Sequence, residues 1–262
     1  MAALAIKPSI AIIGAASGAV LLLGLWLLLP AVWVLLIVYA SVIIVAYLIG
    51  AVTVGRKPGE FFRGLIIGAN SAGNWVLAAP VYPKLLGAEV GTAVAIALGA
   101  ATFASSIGFM SRNAVYQGFL GYINWLLPLS WLIVGLGLAF FLLGLLGAVT
   151  LGLLGVKYFR VDRLVIDWKT GTVFTRGGVI SNLNPIDTAF NMGNFAFVDV
   201  AHADMAIEHE SGHSLNLAAF GSLFHLIGAL DENVLNGEEA FSERLAESHV
   251  ANSTRPLLNM WA

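Results

Sequence analysis

The chain has 262 residues, of which 59% are hydrophobic and 11% charged, with a formal net charge of −2 and a mean hydropathy of +0.88. A soluble domain carries about 25% charged residues, so the composition points to a membrane protein, and it offers no basic patch of the kind that binds nucleic acid. With no cysteine, disulfides and thiolate metal sites are excluded.

The charges divide the chain into two regions. Residues 1–156 hold six basic residues (Lys7, Arg56, Lys57, Arg63, Lys84, Arg112) and two acidic ones (Glu60, Glu89), whereas the remainder holds seven basic and thirteen acidic residues and all five histidines. The first region is expected to be transmembrane (1–157) and the second a separate small domain (158–262).

In chain order, 9–29 and 31–54 are each long enough to cross a hydrocarbon core of about 30 Å. As one helix they would reach about 68 Å, so Pro30 is expected to mark a hairpin, flanked by Trp26 and Trp33 in the interfacial aromatic belt. The first run is longer than the ~7–15-residue core of a cleaved signal, which favours an anchor.

Residues 55–88 break the pattern. Arg56, Lys57 and Arg63 beside Phe61, Phe62 and Leu65 suggest an interfacial stretch, and Asn70, Asn74, Pro80 and Pro83 argue against a full span. A third span is expected over 90–110, with small residues that allow close helix packing, then an interfacial segment 113–128 and a fourth span over 131–156. No span is expected after His213. Counting Lys7, the 55–88 loop with Lys84, and Lys157, Arg160 and Arg163 on one side puts both termini in the cytoplasm.

After Tyr158 the pattern becomes mixed. Leu164–Trp168 and Thr172–Thr175 read as a hairpin turned by Lys169, Thr170 and Gly171, and Phe195–Val200 as a further strand. Asp204 is a candidate cap for a helix from Met205 to about Leu230. Asn236 is the candidate cap for a second helix, 237–250. The run from Leu215 to Leu230 is almost wholly apolar, and a domain of about 105 residues has few layers to cover it, so it is expected to pack against the membrane helices.

The chemistry lies in His209-Glu210-Ser211-Gly212-His213, an HExxH. Residues four apart share one helix face, so both imidazoles can reach one metal ion while Glu210 reaches a water bound to it. A catalytic zinc usually has three protein ligands and one open position. His225, twelve residues on, would stand about 18 Å away on a continuous helix and is set aside unless the helix breaks. The longer pattern HExxHxxGxxH is absent, since Asn216 and Ala219 occupy its glycine and third histidine. Glu243 and Glu247, four apart on the following helix, are the preferred acids, with Glu232, Asp231, Glu239 and His249 behind them.

In these motifs the chain resembles the gluzincin branch of zinc metallopeptidases, whose second helix carries ExxxD or ExxAD. The resemblance covers about 195–249. It implies that His209, His213 and Glu243 bind Zn2+, that Glu210 is the general base, and that Glu247 supports a ligating histidine. It also implies that an edge strand at Phe195, Ala196, Phe197 and Val198 takes up the substrate as an added strand. The match departs from the family at Glu247, where aspartate is usual, and in the short interval between His213 and Glu243. The phrase from His209 to Glu232 is also similar to uncharacterised bacterial HExGH peptidases.

The expectation is therefore an α-helical membrane protein of about four transmembrane helices with a small C-terminal α+β zincin-like domain. It would be a zinc metallopeptidase of the bacterial inner membrane. Its partners would be the lipid bilayer and a peptide or protein substrate, with a homo-oligomer or membrane complex open and no nucleic acid. The alternatives are a non-enzymatic membrane assembly subunit with a structural or vestigial metal site, and a delivered membrane-inserting toxin.

Overall fold

The structure, a computed structural model, describes residues 8–107, 113–183, 189–200 and 206–247. It is mostly helical. The helices are α1 (Pro8–Leu28), α2 (Val32–Val52), α3 (Lys57–Ala78), α4 (Tyr82–Leu86), α5 (Ala88–Ala104), α6 (Ala114–Ile123), α7 (Trp131–Gly147), α8 (Gly178–Leu183), α9 (Ile207–Leu230) and α10 (Phe241–Glu247). Four short strands, β1 (Val161–Asp167), β2 (Thr172–Gly177), β3 (Ala189–Met192) and β4 (Phe195–Val198), form one sheet.

Four helical runs are long and apolar enough to cross a membrane: Ile10–Leu28, Val32–Val52, Pro128–Gly152 and Ile207–Glu239. Three coincide with expected spans. The expected third span, 90–110, is the shorter apolar helix α5, and its last residues lie outside the described ones. The fourth run, after His213, was not expected. It is long by count, but it turns back on itself at Gly221 (φ 85°, ψ 172°). The arm before it, Ile207–Phe220, and the arm after it, which runs on through Asp231–Asn236, are each about 21–22 Å long at ~1.5 Å per residue, short of the ~30 Å core.

The stretch 55–88 is where sequence and structure differ most. Residues 57–78 are not an interfacial segment but a continuous 22-residue helix at the centre of the bundle. It packs against α1 through small residues on both helices. Added Cβ atoms at Gly64 and Gly68 would collide with the carbonyls of Ala11 and Ala15, and those at Gly14 and Gly18 with the carbonyls of Phe61 and Leu65. Residue numbers rise together on the two helices, so α1 and α3 run parallel, each with a GxxxG pattern that lets backbones touch. Gly59, at the start of α3, sits against Thr53 at the end of α2, so α2 returns between two parallel helices and the hairpin at Pro30 holds.

Protein surrounds α3, and its buried polar side chains find partners in it. Arg63 pairs with Glu60 at 3.1 Å, both 1% exposed, and also donates to the Ser106 carbonyl. Asn74 Oδ1 accepts from the Leu129 amide at 2.9 Å. The hydropathy of α3 is therefore that of an interior helix, and the expected charge layout changes with it. Arg56 and Lys57 stand at one end of α3, while Lys84 stands beyond the other.

The sheet has the order β1-β2-β4-β3; β1/β2 and β3/β4 are antiparallel, and β2/β4 is parallel. The β1–β2 hairpin turns at Gly171 (φ 69°) as expected. β4 is flanked on both sides and its four residues are buried. Phe195, Ala196, Phe197 and Val198 thus have no free edge to offer a substrate strand. β3, not foreseen, supplies an outer edge instead, because the short turn at Gly193 and Asn194 folds it alongside β4.

The two regions separated by composition share one core. Phe220, Phe224, Phe241 and Leu245 from the polar region cluster with Tyr39, Ile43, Tyr47 and Ile66 from the apolar one. The apolar half of α9 packs on α2 and α3, as its sequence led one to expect.

Candidate metal centre

The HExxH lies on the first arm of α9, where the i, i+4 spacing sets the two imidazoles on one face, ring centroids 4.9 Å apart. α10 brings Glu243 against them. His213 Nε2 lies 3.2 Å from His209 Nε2, and Glu243 Oε2 lies 3.1 Å from His209 Nε2 and 3.3 Å from His213 Nε2. Three donors thus form a near-equilateral triangle. A tetrahedral ion with ligand bonds of 2.0–2.1 Å requires donor separations of about 3.3 Å, so the residues fit such an ion as they stand. The other Glu243 oxygen, Oε1, is buried with no hydrogen-bond partner among the described residues. A buried carboxylate oxygen in that state is costly, and a cation at the centre of the triangle would relieve it.

The supporting contacts follow the same logic. Glu247 Oε1 lies 2.9 Å from His209 Nδ1, which fixes the ring and presents Nε2 to the centre. Glu210 is buried next to them, close enough for its charge to act on His209. Burial by itself would raise the Glu243 carboxyl, but the charge of His213 and hydrogen bonds from both imidazoles outweigh it and hold the group well below the usual carboxylate range. Accessibility grades outward from Glu243 at 6% through His213 at 11% to His209 at 25%, so the cluster is open on one side.

Two local features allow α10 to come this close. Gly212 has no side chain where a Cβ would meet the Ala246 carbonyl. Asp231 caps α10 from a distance, its Oδ2 accepting from the Phe241 amide at 3.1 Å and from the Tyr47 hydroxyl at 2.6 Å. The expected cap, Asn236, makes no capping bond. It donates instead to Asp231, and the helix begins at Phe241 after a 3-10 turn over Gly237–Glu239. Asp204 and His249 lie outside the described residues. Glu239 sits on the surface 3.8 Å from Arg244, and Asp231, as a cap, is no ligand.

His225 needs correction. Gly221 breaks α9, and the second arm folds back so that the His225 ring centroid comes within 6.1 Å of that of His213. Its Nε2 donates to the Asn191 carbonyl of β3 at 2.9 Å. The condition that sets it aside, a continuous helix, does not hold, although His225 is outside the donor triangle. Asn191, not foreseen at all, also donates through Nδ2 to the Glu210 carbonyl at 2.9 Å. A glycine inside an apolar helical run was the available signal for the break.

The break is held from α2 and α3. Asn70 Nδ2 donates to the carbonyls of Ala218 (3.2 Å) and Ala219 (3.0 Å), and the Tyr39 hydroxyl to that of Phe220 (3.3 Å). These are the carbonyls a helix end leaves without partners. Behind the site, Ser211 donates to Asp167 at 3.0 Å and Ser214 to the Gly193 carbonyl at 2.5 Å, tying the arm to the sheet.

His209, His213 and Glu243 form the group that could hold a metal ion among the described residues. Set against known proteins, the chain matches no family model, no curated protein and no solved structure.

Proposed function

We propose that this protein is a membrane-integrated metallopeptidase that hydrolyses peptide bonds with zinc held by His209, His213 and Glu243. The observation that carries the reading is the donor triangle with an acid on each flank, Glu210 beside it and Glu247 behind His209. Two imidazoles and one carboxylate are a catalytic set, which leaves a fourth position for water or substrate. Zinc held by the three donors would supply Lewis acidity and lower the pKa of water.

The protein's own residues do the rest. Glu210 takes one proton from the attacking water, whose oxygen bonds to the carbonyl carbon, and passes it to the amine nitrogen as the C–N bond breaks. Glu247 keeps His209 in the tautomer that offers Nε2. Water and substrate approach on the His209 side, where the cluster is most exposed. The substrate strand in this reading lies on the β3 side, since β4 is enclosed. We place the N-terminal end of α3 in the cytoplasm on the strength of Arg56 and Lys57. α10, seated against Gly50 near the same end of α2, puts the C-terminal region on that side, in a bacterial inner membrane.

The test is metal content and turnover together. Detergent-purified protein should hold about one zinc per chain, and His213→Ala should lose it. Glu210→Gln should keep the metal and lose proteolysis; full activity in that variant would falsify the mechanism. A bound metal with no open position would favour the non-enzymatic assembly subunit.

A further inference from the structure

The candidate metal cluster stands inside the ends of α2, on its C-terminal half, and we infer that its substrates are peptide segments embedded in the bilayer. This rests on the peptidase reading and narrows it to a substrate class.

α2 serves as the ruler. Its 21 residues span about 30 Å, the thickness of the hydrocarbon core, and Leu36, Ile37, Ile44, Val45 and Leu48 are exposed along it as lipid-facing residues would be. The second arm of α9 is tied to this helix at both ends. At its start the Phe220 carbonyl accepts from Tyr39, and just past its end Asp231 accepts from Tyr47. Between the ties, Phe224 packs on Tyr47 with ring centroids 5.1 Å apart. His225 follows Phe224, and its ring meets that of His213. The histidine cluster is therefore level with the stretch of α2 between Tyr39 and Tyr47, inside the helix and short of its C-terminal end at Val52. Asn70, which holds the other carbonyls of the break, is near the middle of α3.

The surface around the second arm agrees with that depth. Leu226, Leu230, Val234 and Leu235 are exposed, the last at 73%. These apolar side chains suit lipid or an apolar chain segment, and the exposed Asn233, Glu238 and Glu239 mark where the apolar stretch ends. A soluble loop would have to be drawn inward past the end of α2 to reach Glu210, whereas an embedded segment arrives at that depth already. The bond change is the hydrolysis given above: water adds, the C–N bond breaks, and Glu210 carries the proton to the amine.

The chain lacks cysteine, so single-cysteine spin labels report cleanly. Labels at Leu226→Cys, Ile44→Cys (middle of α2) and Leu28→Cys (end of α1) in lipid nanodiscs would be compared for collision with oxygen, which partitions into lipid, and with a nickel chelate, which stays in water. The Leu226 label should match the Ile44 label in depth to within about one helical turn (~5 Å). A nickel accessibility equal to or above that of the Leu28 label would overturn the inference whatever the activity.

In parallel, zinc-loaded protein would be given a pool of randomised transmembrane peptides in the same bilayer, and casein in solution, each beside Glu210→Gln. Glu210-dependent cuts in the embedded peptides are expected, at least tenfold faster per mole than in casein. Cleavage of casein with the embedded pool intact would overturn the substrate class and leave the peptidase standing. No cleavage of either would end both.

Discussion

α3 and α9 both run through the interior carrying polar residues, and both depend on glycine, in opposite ways. In α3 the glycines remove bulk: Gly64 and Gly68 let the α1 backbone come into contact, and the helix stays regular for 22 residues. In α9 Gly221 supplies a conformation that an L-residue adopts only under strain, and the helix stops there. The straight helix then completes the broken one, since Asn70 of α3 takes up two of the carbonyls that the break releases. Close packing without a hydrophobic driving force needs small residues, whereas a helix end inside protein needs donors. The candidate metal site draws on both solutions at once.

The largest effect should come from filling the regular contact. Gly64→Leu drives a side chain into the Ala11 backbone, which neither helix can vacate. Overpacking costs about 1–3 kcal/mol and occasionally more, and a clash with backbone belongs at the upper end. The variant should be recovered mostly aggregated in size-exclusion chromatography in mild detergent; a monodisperse, wild-type profile would show that the α1–α3 contact is looser than described.

Gly221→Ala comes next. Strain in a glycine-only region costs roughly 1–3 kcal/mol, and the new methyl would also press on Asn70 Oδ1 and the Tyr39 hydroxyl. Thermal unfolding should shift down, and zinc affinity should fall with it, because the break brings the chain back past the site to α10. An unchanged affinity would separate the break from the metal centre.

Asn70→Leu keeps the bulk and removes the donors. Leaving buried carbonyls unpaired costs about 1–3 kcal/mol, so the melting temperature should drop while the α1–α3 contact survives. Size-exclusion chromatography in mild detergent would check that, and an aggregated profile like that expected of Gly64→Leu would mean the two devices are not independent.

The smallest change is Glu247→Gln. It leaves the triangle intact and weakens the hold on His209, which should lower zinc affinity by about 10–100-fold with little change in melting of the metal-free protein. Competition with a zinc chelator reads this directly, and an affinity equal to wild type would remove Glu247 from the site.

Much of the site was legible because helix geometry is local. The i, i+4 spacing of His209 and His213 and of Glu243 and Glu247 specifies shared faces without knowledge of the fold, and the structure brings those two faces together. The β1–β2 hairpin was legible for the same reason, through Gly171 and its flanking β-prone runs. Long-range placement was not. Phe195–Val198 has the pattern of a strand in any position, and only the pairing of β3 outside it makes it central. His225 is remote in sequence and near in space because one glycine turns the chain.

By itself, then, the sequence determined that apolar helices dominate, that two imidazoles share a face, and that an acid pair follows on the next helix. Tertiary structure alone decided that α3 is interior rather than interfacial. Hydropathy measures the cost of meeting lipid, and a helix enclosed by other helices does not meet it. Tertiary structure also decided where the break in α9 points and what caps it. That choice belongs to Tyr39 and Asn70, more than 140 residues away along the chain, and so to contacts that no local pattern records.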